Sequence, residues 1–375
     1  MSNYRKQTLI IVAIVLFMAG LGFSASEKIE TLRIGQQAPD FNLPGVDGRN
    51  YKLADFADAD ILVIIFTCNH CPTAQAYEER IKKLAADYKN KGVALVAISA
   101  NDPKAVRLDE LGYSDMSDSF EEMKTRAKDM GYNFPYLYDG DNQKVSLAYG
   151  PARTPHVFIF DRQRILRYVG RVDDSEKARL VKSEDARNAI EALLNGKKIA
   201  AEETRTIGCS VKWAGMRESV KQSFEHWAKE KVTIEMTNEK SVKELVENDS
   251  GKLRLINIWA SWSGPSVKQL QEFVIMNRMY RYRDFELITI SADSPNRKDE
   301  VLSILKKQQA SYKNYLFDSE DEYQLMAAVD KDLLGGIPYT ILIQTGGKVI
   351  YRNVGIIEPL EVKKTIVGYL GRYYK

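Results

Sequence analysis

The sequence predicts an α/β protein built from two similar halves, each a mixed central sheet flanked by helices. Apolar runs of strand length alternate with segments of helical periodicity, a pattern typical of α/β sheets. The order of these segments repeats along the 375-residue chain, which indicates a duplicated fold. Each half also contains two successive strand patterns before its last helix, which predict an antiparallel hairpin.

The N-terminal segment is set apart by its composition. Arg5 and Lys6 precede an apolar stretch at residues 9–23, which is followed by small residues up to Ser26. This pattern predicts a secretory signal peptide over residues 1–26, although an uncleaved anchor at 9–23 remains open. The stretch is short for a membrane span, which needs about 20 residues. Either interpretation predicts an exported protein of the periplasm or cell envelope that meets the membrane only through this segment.

The first half is predicted to span residues 27–195. Its predicted strands lie at 61–67, 93–102, 136–139, 154–161 and 165–172, with a closing helix near 183–194. A polar segment between Asp102 and Phe134 lengthens this half, and we expect a solvated helix there, with a partner surface as the alternative.

The second half, residues 232–375, repeats this order. Its predicted strands lie at 253–259, 285–293, 315–318, 337–343 and 348–355, with a closing helix near 359–370. Between the halves, the charged segment 196–231 is predicted to be a linker that contains a helix near 218–228.

A Cys-x-x-Cys motif directly follows the first apolar run. Cys68 and Cys71 lie where a strand pattern gives way to a helix pattern, which favours a thiol–disulfide centre over a structural disulfide. In the first turn of a helix, the helix dipole would lower the pKa of Cys68 and make it the attacking nucleophile. Cys71 would then resolve the mixed disulfide, and a charge on His70 would make the pair more oxidising.

The second half has the same surroundings with serine at both sulfur positions, Ser263 and Ser266. A hydroxyl forms no disulfide and stays protonated near neutral pH. A serine nucleophile would need a histidine base, and the only histidine after position 200 is His226, outside this half. We therefore predict a redox-inactive domain that is structural or binds partners.

The third cysteine, Cys209, lies in the predicted linker. It is left over if Cys68 and Cys71 form a disulfide, which is notable in an oxidising compartment. Our first interpretation is an inert buried residue. A partner for Cys68 during turnover and an intermolecular link are the alternatives.

The net charge of +3 and the lack of a long basic run argue against nucleic-acid binding. We expect no cofactor and no resident metal. Cys68, His70 and Cys71, together with His156, nevertheless offer soft ligands that could hold Cu(I), so a copper-binding protein remains an alternative.

The order of these motifs resembles the thioredoxin superfamily. The resemblance depends on the Cys-x-x-Cys after the first long strand, the strand–helix order, and the prolines Pro155 and Pro338 that open a late strand in each half. The opening at 35–43, which contains Ala-Pro-Asp-Phe, is similar to the redoxin branch of peroxiredoxin-like and membrane-anchored reductase-like proteins. Residues 262–266, Trp-Ser-Gly-Pro-Ser, stand where a thioredoxin has Trp-Cys-Gly-Pro-Cys.

The resemblance implies that Pro155 and Pro338 are cis prolines facing the two turns. It also implies that the backbone of Thr154, and of Ile337 in the second half, pairs with an incoming peptide. His156 would lie near Cys68, and we interpret it as a strand residue. The buried acid of the family has no counterpart in the strand at 61–67, so the sequence names no proton acceptor.

The combined prediction is an exported thiol–disulfide oxidoreductase that acts on protein thiols or disulfides, with a membrane electron donor as a candidate partner. His70 favours an oxidase or isomerase, whereas the redoxin-like opening favours a reductase, and the sequence does not decide between them. A peroxiredoxin-like antioxidant is an alternative, although the Pro-x-x-x-Thr-x-x-Cys pattern is absent at both cysteines. A non-enzymatic interaction protein is a further alternative to the oxidoreductase.

Overall fold

The computed structural model describes residues 29–331 and 336–374. The predicted signal peptide or anchor at residues 1–26 lies outside the described residues. Within the described ranges, no helix combines the length and the apolar character that crossing a membrane requires.

The first half contains one large sheet and two short ladders. Its strands are β1 (Asn42–Pro44), β2 (Asn50–Lys52), β3 (Ile61–Thr67), β4 (Val93–Ser99), β5 (Tyr136–Tyr138), β6 (Arg153–Thr154), β7 (His156–Phe160), β8 (Leu166–Gly170) and β9 (Cys209–Ser210). Its α-helices are α1 (Pro72–Tyr88), α2 (Phe120–Met130), α3 (Lys144–Tyr149), α4 (Asp185–Leu194) and α5 (Arg217–Trp227). Short 3₁₀ turns lie at Leu53–Phe56, Pro103–Ala105, Leu108–Leu111, Ala178–Leu180 and Ala214–Met216.

The second half contains a single large sheet. Its strands are β10 (Glu235–Thr237), β11 (Leu253–Trp259), β12 (Phe285–Ser291), β13 (Lys313–Phe317), β14 (Tyr339–Ile343) and β15 (Val349–Val354). Its helices are α6 (Glu239–Glu247), α7 (Gly264–Tyr280), α8 (Lys298–Lys307), α9 (Glu322–Val329) and α10 (Pro359–Leu370), with a 3₁₀ turn at Pro295–Arg297.

The two large sheets share one topology. The strand orders are β5-β4-β3-β7-β8 and β10-β13-β12-β11-β14-β15, so that β3 and β11 are the central strands. In both sheets the strands on one side of the central strand run parallel to it. On the other side lies a hairpin, β7–β8 or β14–β15, whose first strand runs antiparallel to the central strand. The predicted fold class, mixed sheets flanked by helices, is confirmed.

The central strand β3 is buried on both faces, as expected for a strand with helices on each side. Leu62, Ile64 and Phe66 pack into the core on one face. Ile61, Val63 and Ile65 alternate with them and pack into the core on the other face. Complete burial of such side chains contributes about 1.5–3 kcal/mol each, which fixes the register of β3 and the position of the turn that follows it.

The segment after β4 joins the two halves. Val106 and Leu111 belong to the same hydrophobic core as residues of α7 and α10. The Tyr280 hydroxyl donates to the Ser114 carbonyl at 2.8 Å, and Arg372 makes a bidentate ion pair with Asp115 at 2.6 and 2.8 Å. The expectation of a solvated helix is therefore wrong for this part of the insertion, because its apolar residues are buried against the second half.

The predicted linker segment crosses the first sheet on its way to α5. Val211 is buried in the core of the first half. The Lys212 backbone accepts from Asp102 N at 2.9 Å and donates to Asn101 Oδ1 at 2.8 Å. These contacts hold residues 209–212 against the carboxyl ends of the parallel strands, where the dithiol lies.

Candidate active site

The turn between β3 and α1 holds both cysteines of the motif. Cys71 is the N-cap residue of α1, and its Sγ accepts a hydrogen bond from Ala74 N at 3.5 Å. Helix α1 begins at Pro72 because proline is well suited to the first helical position. Cys68 therefore lies before the helix, and the prediction that both cysteines lie in its first turn is wrong.

A buried carboxylate that the sequence did not identify holds this turn. Asp118 Oδ1 accepts from Asn69 N at 2.8 Å and from His70 N at 3.2 Å. Its other oxygen lies 2.6 Å from His70 Nδ1 and accepts from Asn101 Nδ2 at 2.8 Å. Asp118 has no exposed surface, and its four contacts satisfy a carboxylate that would otherwise be costly to bury.

A capping box explains why Asp118 lies where it does. Ser119 caps α2, and the Glu122 carboxylate accepts a hydrogen bond from the Ser119 backbone N–H. Asp118 consequently lies immediately before the N-cap of the helix. The Ser-x-x-Glu pattern could have located this helix start in the sequence. It could not have shown that Asp118 reaches a motif 48 residues away.

Asp118 and His70 form a buried ion pair. Burial opposes a charge on His70, but the charge of Asp118 and the hydrogen bond to it outweigh burial and raise the pKa of His70. Burial likewise opposes the Asp118 charge, yet His70 and the surrounding donors hold the pKa of Asp118 below its usual value. The pair brings the positive charge of His70 close to Cys71 and the negative charge of Asp118 close to Cys68.

The two sulfurs consequently differ in acidity. The pKa of Cys68 is raised well above its usual value, chiefly by burial and further by Cys71 and the negative charge of Asp118. Burial also opposes ionisation of Cys71, but hydrogen bonds from Cys209 and Cys68 and the charge of His70 hold its pKa well below the usual value. The direction predicted for Cys68 is therefore wrong in this state, because its pKa is raised and the lowered pKa is that of Cys71.

Thr154 and Pro155 face the dithiol across the turn. The Thr154–Pro155 peptide bond is cis. Thr154 Oγ1 lies 3.2 Å from Cys68 Sγ, and the Thr154 carbonyl oxygen lies 3.6 Å from Cys71 Sγ. Thr154 is completely buried, because β9 covers the backbone that the resemblance assigns to an incoming peptide.

Cys209 belongs to the same cluster of sulfurs. It pairs with Thr154 in the β6–β9 ladder, and its side chain packs against Cys68, Cys71 and Ala74. All three cysteines are free thiols. The neighbouring Cys71, followed by burial, raises the pKa of Cys209. Our first interpretation of Cys209, an inert residue, stays a prediction.

His156 is a strand residue, as predicted. Its Nδ1 accepts from Ala152 N at 3.2 Å, its ring packs on Phe158 with centroids 4.6 Å apart, and burial lowers its pKa to about 3. Among the described residues, the ligand atoms close enough for a metal are those of Cys68, His70 and Asp118, within 4.8 Å of one another. The predicted copper ligands Cys71 and His156 are not in this group, and the Asp118 oxygens are already occupied by N–H donors.

The serine turn of the second half has a similar frame with different chemistry. Ser263 is the N-cap of α7, and its Oγ accepts from Ser266 N at 3.4 Å. The Ile337–Pro338 bond is cis, as in the first half. Ser266 is completely buried and its hydroxyl has no hydrogen-bond partner. In the part of the chain that is described, neither serine hydrogen bonds to a histidine, so no serine–histidine pair is assembled.

Comparison with known proteins identifies a family and several similar proteins. Residues 33–190 match the Redoxin family. A thiol-disulfide oxidoreductase ResA from Geobacillus thermodenitrificans is 23% identical over 168 residues, which cover 43% of this chain and 85% of that protein. A putative peroxiredoxin from Mycobacterium tuberculosis is 28% identical over 152 residues, covering 40% and 84%. An uncharacterised conserved protein from Geobacillus kaustophilus, known from its crystal structure, is 40% identical with a TM-score of 0.44. The match covers 49% of this chain and 94% of that protein.

These matches agree with what the fold and the site show. The matched region contains the whole β3–β4–β5–β7–β8 sheet, the dithiol turn and the cis proline. The name of the Geobacillus oxidoreductase also agrees with the enzyme class that the Cys-x-x-Cys motif predicts. Residues 33–190 therefore form a redoxin region, and the sheet, the dithiol turn and the cis proline within it support a thioredoxin-superfamily fold for the first half.

Proposed function

We propose that this chain is a thiol–disulfide oxidoreductase whose working group is the Cys68–Cys71 dithiol. The observation that carries the proposal is a Cys-x-x-Cys pair in which Cys71 is the N-cap of α1, Thr154 lies within 3.6 Å of both sulfurs, and the buried His70–Asp118 pair lies beside them. Such an environment stabilises a thiolate, which is the reactive form of cysteine.

The exchange proceeds in two balanced steps. A thiolate of the reduced pair attacks a substrate disulfide and forms a mixed disulfide, while the other substrate sulfur leaves with the bonding electrons. The second cysteine then attacks the mixed disulfide, so that the pair is oxidised by two electrons and the substrate is reduced. Cys71, whose pKa is held low, ionises more readily than Cys68, whose pKa is raised. The same steps in reverse oxidise a substrate dithiol.

We further propose that the second half braces the active site instead of taking part in the exchange. Its core encloses Val106 and Leu111, and its C-terminal Arg372 holds Asp115. Asp115 is three residues before Asp118, which positions His70. Ser263 and Ser266 cannot exchange disulfides, so this half contributes packing and a surface for partners.

Two finer assignments belong to the same proposal. Export to the periplasm or cell envelope is supported by the basic and apolar pattern of residues 1–26. Reduction of peroxide is the second candidate activity, and the putative peroxiredoxin among the relatives supports it.

The proposal is tested by turnover on a protein disulfide. The chain at residues 27–375 is assayed for the reduction of insulin disulfides with dithiothreitol and, separately, for the consumption of hydrogen peroxide. We expect insulin reduction that is lost when Cys68→Ser or Cys71→Ser is made in a Cys209→Ser background, and retained in Ser266→Ala. Peroxide consumption without any disulfide exchange would favour the peroxidase instead.

A further inference from the structure

A two-residue strand brings a third thiol into the dithiol centre. In the antiparallel β6–β9 ladder, Arg153 pairs with Ser210 and Thr154 pairs with Cys209. Adjacent strands lie about 4.8 Å apart, and the Thr154 carbonyl is itself 3.6 Å from Cys71 Sγ. The register therefore brings the Cys209 side chain to the cluster of Cys68, Cys71 and Ala74, against which it packs.

The close approach of this strand is specified by its neighbours. Gly208 has a φ of +143°, and a Cβ at this position would meet the Thr154 carbonyl oxygen at 2.0 Å. Arg153 Nη1 donates to the Gly208 carbonyl at 2.7 Å. On the other side of Cys209, Val211 is buried and Lys212 donates to Asn101. Contacts on both sides of Cys209 thus hold it in place.

The three sulfurs differ in their access to solvent. Cys68 is 2% exposed and Cys71 is completely buried, whereas Cys209 is partly exposed. A protein substrate therefore meets Cys209 before it can reach the pair behind it. Cys68 Sγ is turned to Thr154 Oγ1 at 3.2 Å, which leaves Cys71 as the neighbour of Cys209.

We propose that Cys209 is a third redox thiol, which exchanges with the oxidised Cys68–Cys71 pair to form a Cys71–Cys209 disulfide at the surface. The Cys209 thiolate attacks Cys71 Sγ, the bond between Cys71 and Cys68 breaks, and Cys68 leaves with the electron pair. Cys68 then takes up the proton that Cys209 lost. The step is an isomerisation that needs no added oxidant. It rests on the proposed function, since the Cys68–Cys71 disulfide is the starting species.

The step gives the centre an exposed disulfide. A substrate thiol can attack Cys209 Sγ and release Cys71 without displacing β9 from Thr154. Strand β9 covers the Thr154 backbone, and it thereby also carries the thiol through which the buried pair exchanges disulfides with substrate.

Disulfide mapping tests the inference. The Cys68→Ser variant of the chain at residues 27–375 is treated with stoichiometric diamide, the remaining thiols are alkylated, and the unreduced peptides are identified by mass spectrometry. We expect an intramolecular Cys71–Cys209 disulfide. The matched Cys71→Ser variant should keep Cys68 and Cys209 as alkylated thiols. In Cys68→Ser/Gly208→Ala, where the strand is displaced, the yield of the disulfide should fall at least tenfold.

The outcomes separate this inference from the proposed function. If the unmodified chain forms a Cys68–Cys71 disulfide but Cys68→Ser keeps both thiols free, Cys209 is not a redox thiol and the proposed function stands. If Cys71→Ser forms a Cys68–Cys209 disulfide in the same yield as Cys68→Ser forms the Cys71–Cys209 disulfide, the assignment of Cys71 as the partner of Cys209 is also overturned. If the unmodified chain forms no intramolecular disulfide, both proposals fail. Circular dichroism of each variant confirms that the fold is retained.

Discussion

The two strand-to-helix turns of this protein share a frame and differ in chemistry. Each follows the central strand of a mixed sheet, and each half contains a cis proline, Pro155 or Pro338. The first turn has two thiols, a buried ion pair and a covering strand, whereas the second has two hydroxyls, one of them buried without a partner. The fold therefore does not require the dithiol, and the reactive features lie in the residues around the first turn.

The helix start is a second difference. In the second half, Ser263 caps α7 and aligns with the first position of the motif, whereas in the first half the cap is Cys71, the last position. Asp118 accepts the N–H groups of Asn69 and His70, which lie before the helix. A Cys-x-x-Cys motif alone thus does not decide which sulfur the helix terminus stabilises.

The largest expected contrast between the turns is in activity. In a Cys209→Ser background, which removes the third thiol, Cys68→Ser and Cys71→Ser should each reduce disulfide exchange to background, because a single thiol cannot resolve the mixed disulfide. Ser266→Ala should leave the rate within twofold of the unmodified chain. Initial rates of insulin reduction measure both, and an equal loss in Ser266→Ala would remove the distinction between the halves.

The predictive power of the sequence can be judged at these same residues. The bounds of β3 and β11 could be predicted, because each is a continuous apolar run that ends at a motif. The Asp118–His70 pair and the β9 strand could not. The first joins residues 48 positions apart, and the second is two residues long and carries no periodicity. The burial of Val106 and Leu111 depends on the second half, which a local pattern does not show.

The buried carboxylates give the next contrast. Asp118→Asn leaves His70 without its counter-charge, and breaking a buried ion pair costs about 3–5 kcal/mol in the free energy of unfolding. It should also raise the pKa of Cys71, because the neighbouring positive charge is lost. Urea unfolding and thiolate absorbance at 240 nm measure the two effects.

Asp293→Asn is the matched control in the second half. Asp293 accepts from Ser261 N at 2.8 Å and pairs with Arg297 at 3.4 Å. Its replacement should destabilise the protein without changing the thiolate absorbance. An unchanged titration of Cys71 in Asp118→Asn would contradict the electrostatic account.

The ion pair should also make stability depend on pH in a defined direction. The pKa of His70 is raised, so its contribution is complete below the unfolded value of about 6.5 and is lost as the pH rises through the folded pKa. The pKa of Asp118 is lowered, so its contribution is present above about 3.9 and is lost as the pH falls through the folded pKa. The difference in unfolding free energy between the unmodified chain and Asp118→Asn should therefore be largest between about pH 4 and 6.5. A difference independent of pH would show that the pair is not charged.

The smallest contrast concerns the contacts that join the halves. Arg372→Ala removes the bidentate contact to buried Asp115 and should cost about 1–3 kcal/mol, because Arg126 still lies 3.8 Å from that carboxylate. Lys364→Ala removes an exposed pair with Asp129, at 2.6 Å, and should cost at most about 1 kcal/mol. Thermal unfolding measures both, and equal effects would argue against bracing through Asp115.

The central claim is that the redox chemistry of the chain resides in the Cys68–Cys71 pair. The most direct test equilibrates the Cys209→Ser variant with glutathione buffers of stepped potential and quantifies the Cys68–Cys71 disulfide by mass spectrometry after alkylation. We predict a single reversible two-electron transition. A midpoint displaced from the thioredoxin value of about −270 mV towards the value of about −120 mV for a strong oxidant would reflect the His70 charge beside Cys71. Thiols that stay reduced across the whole range would contradict the claim.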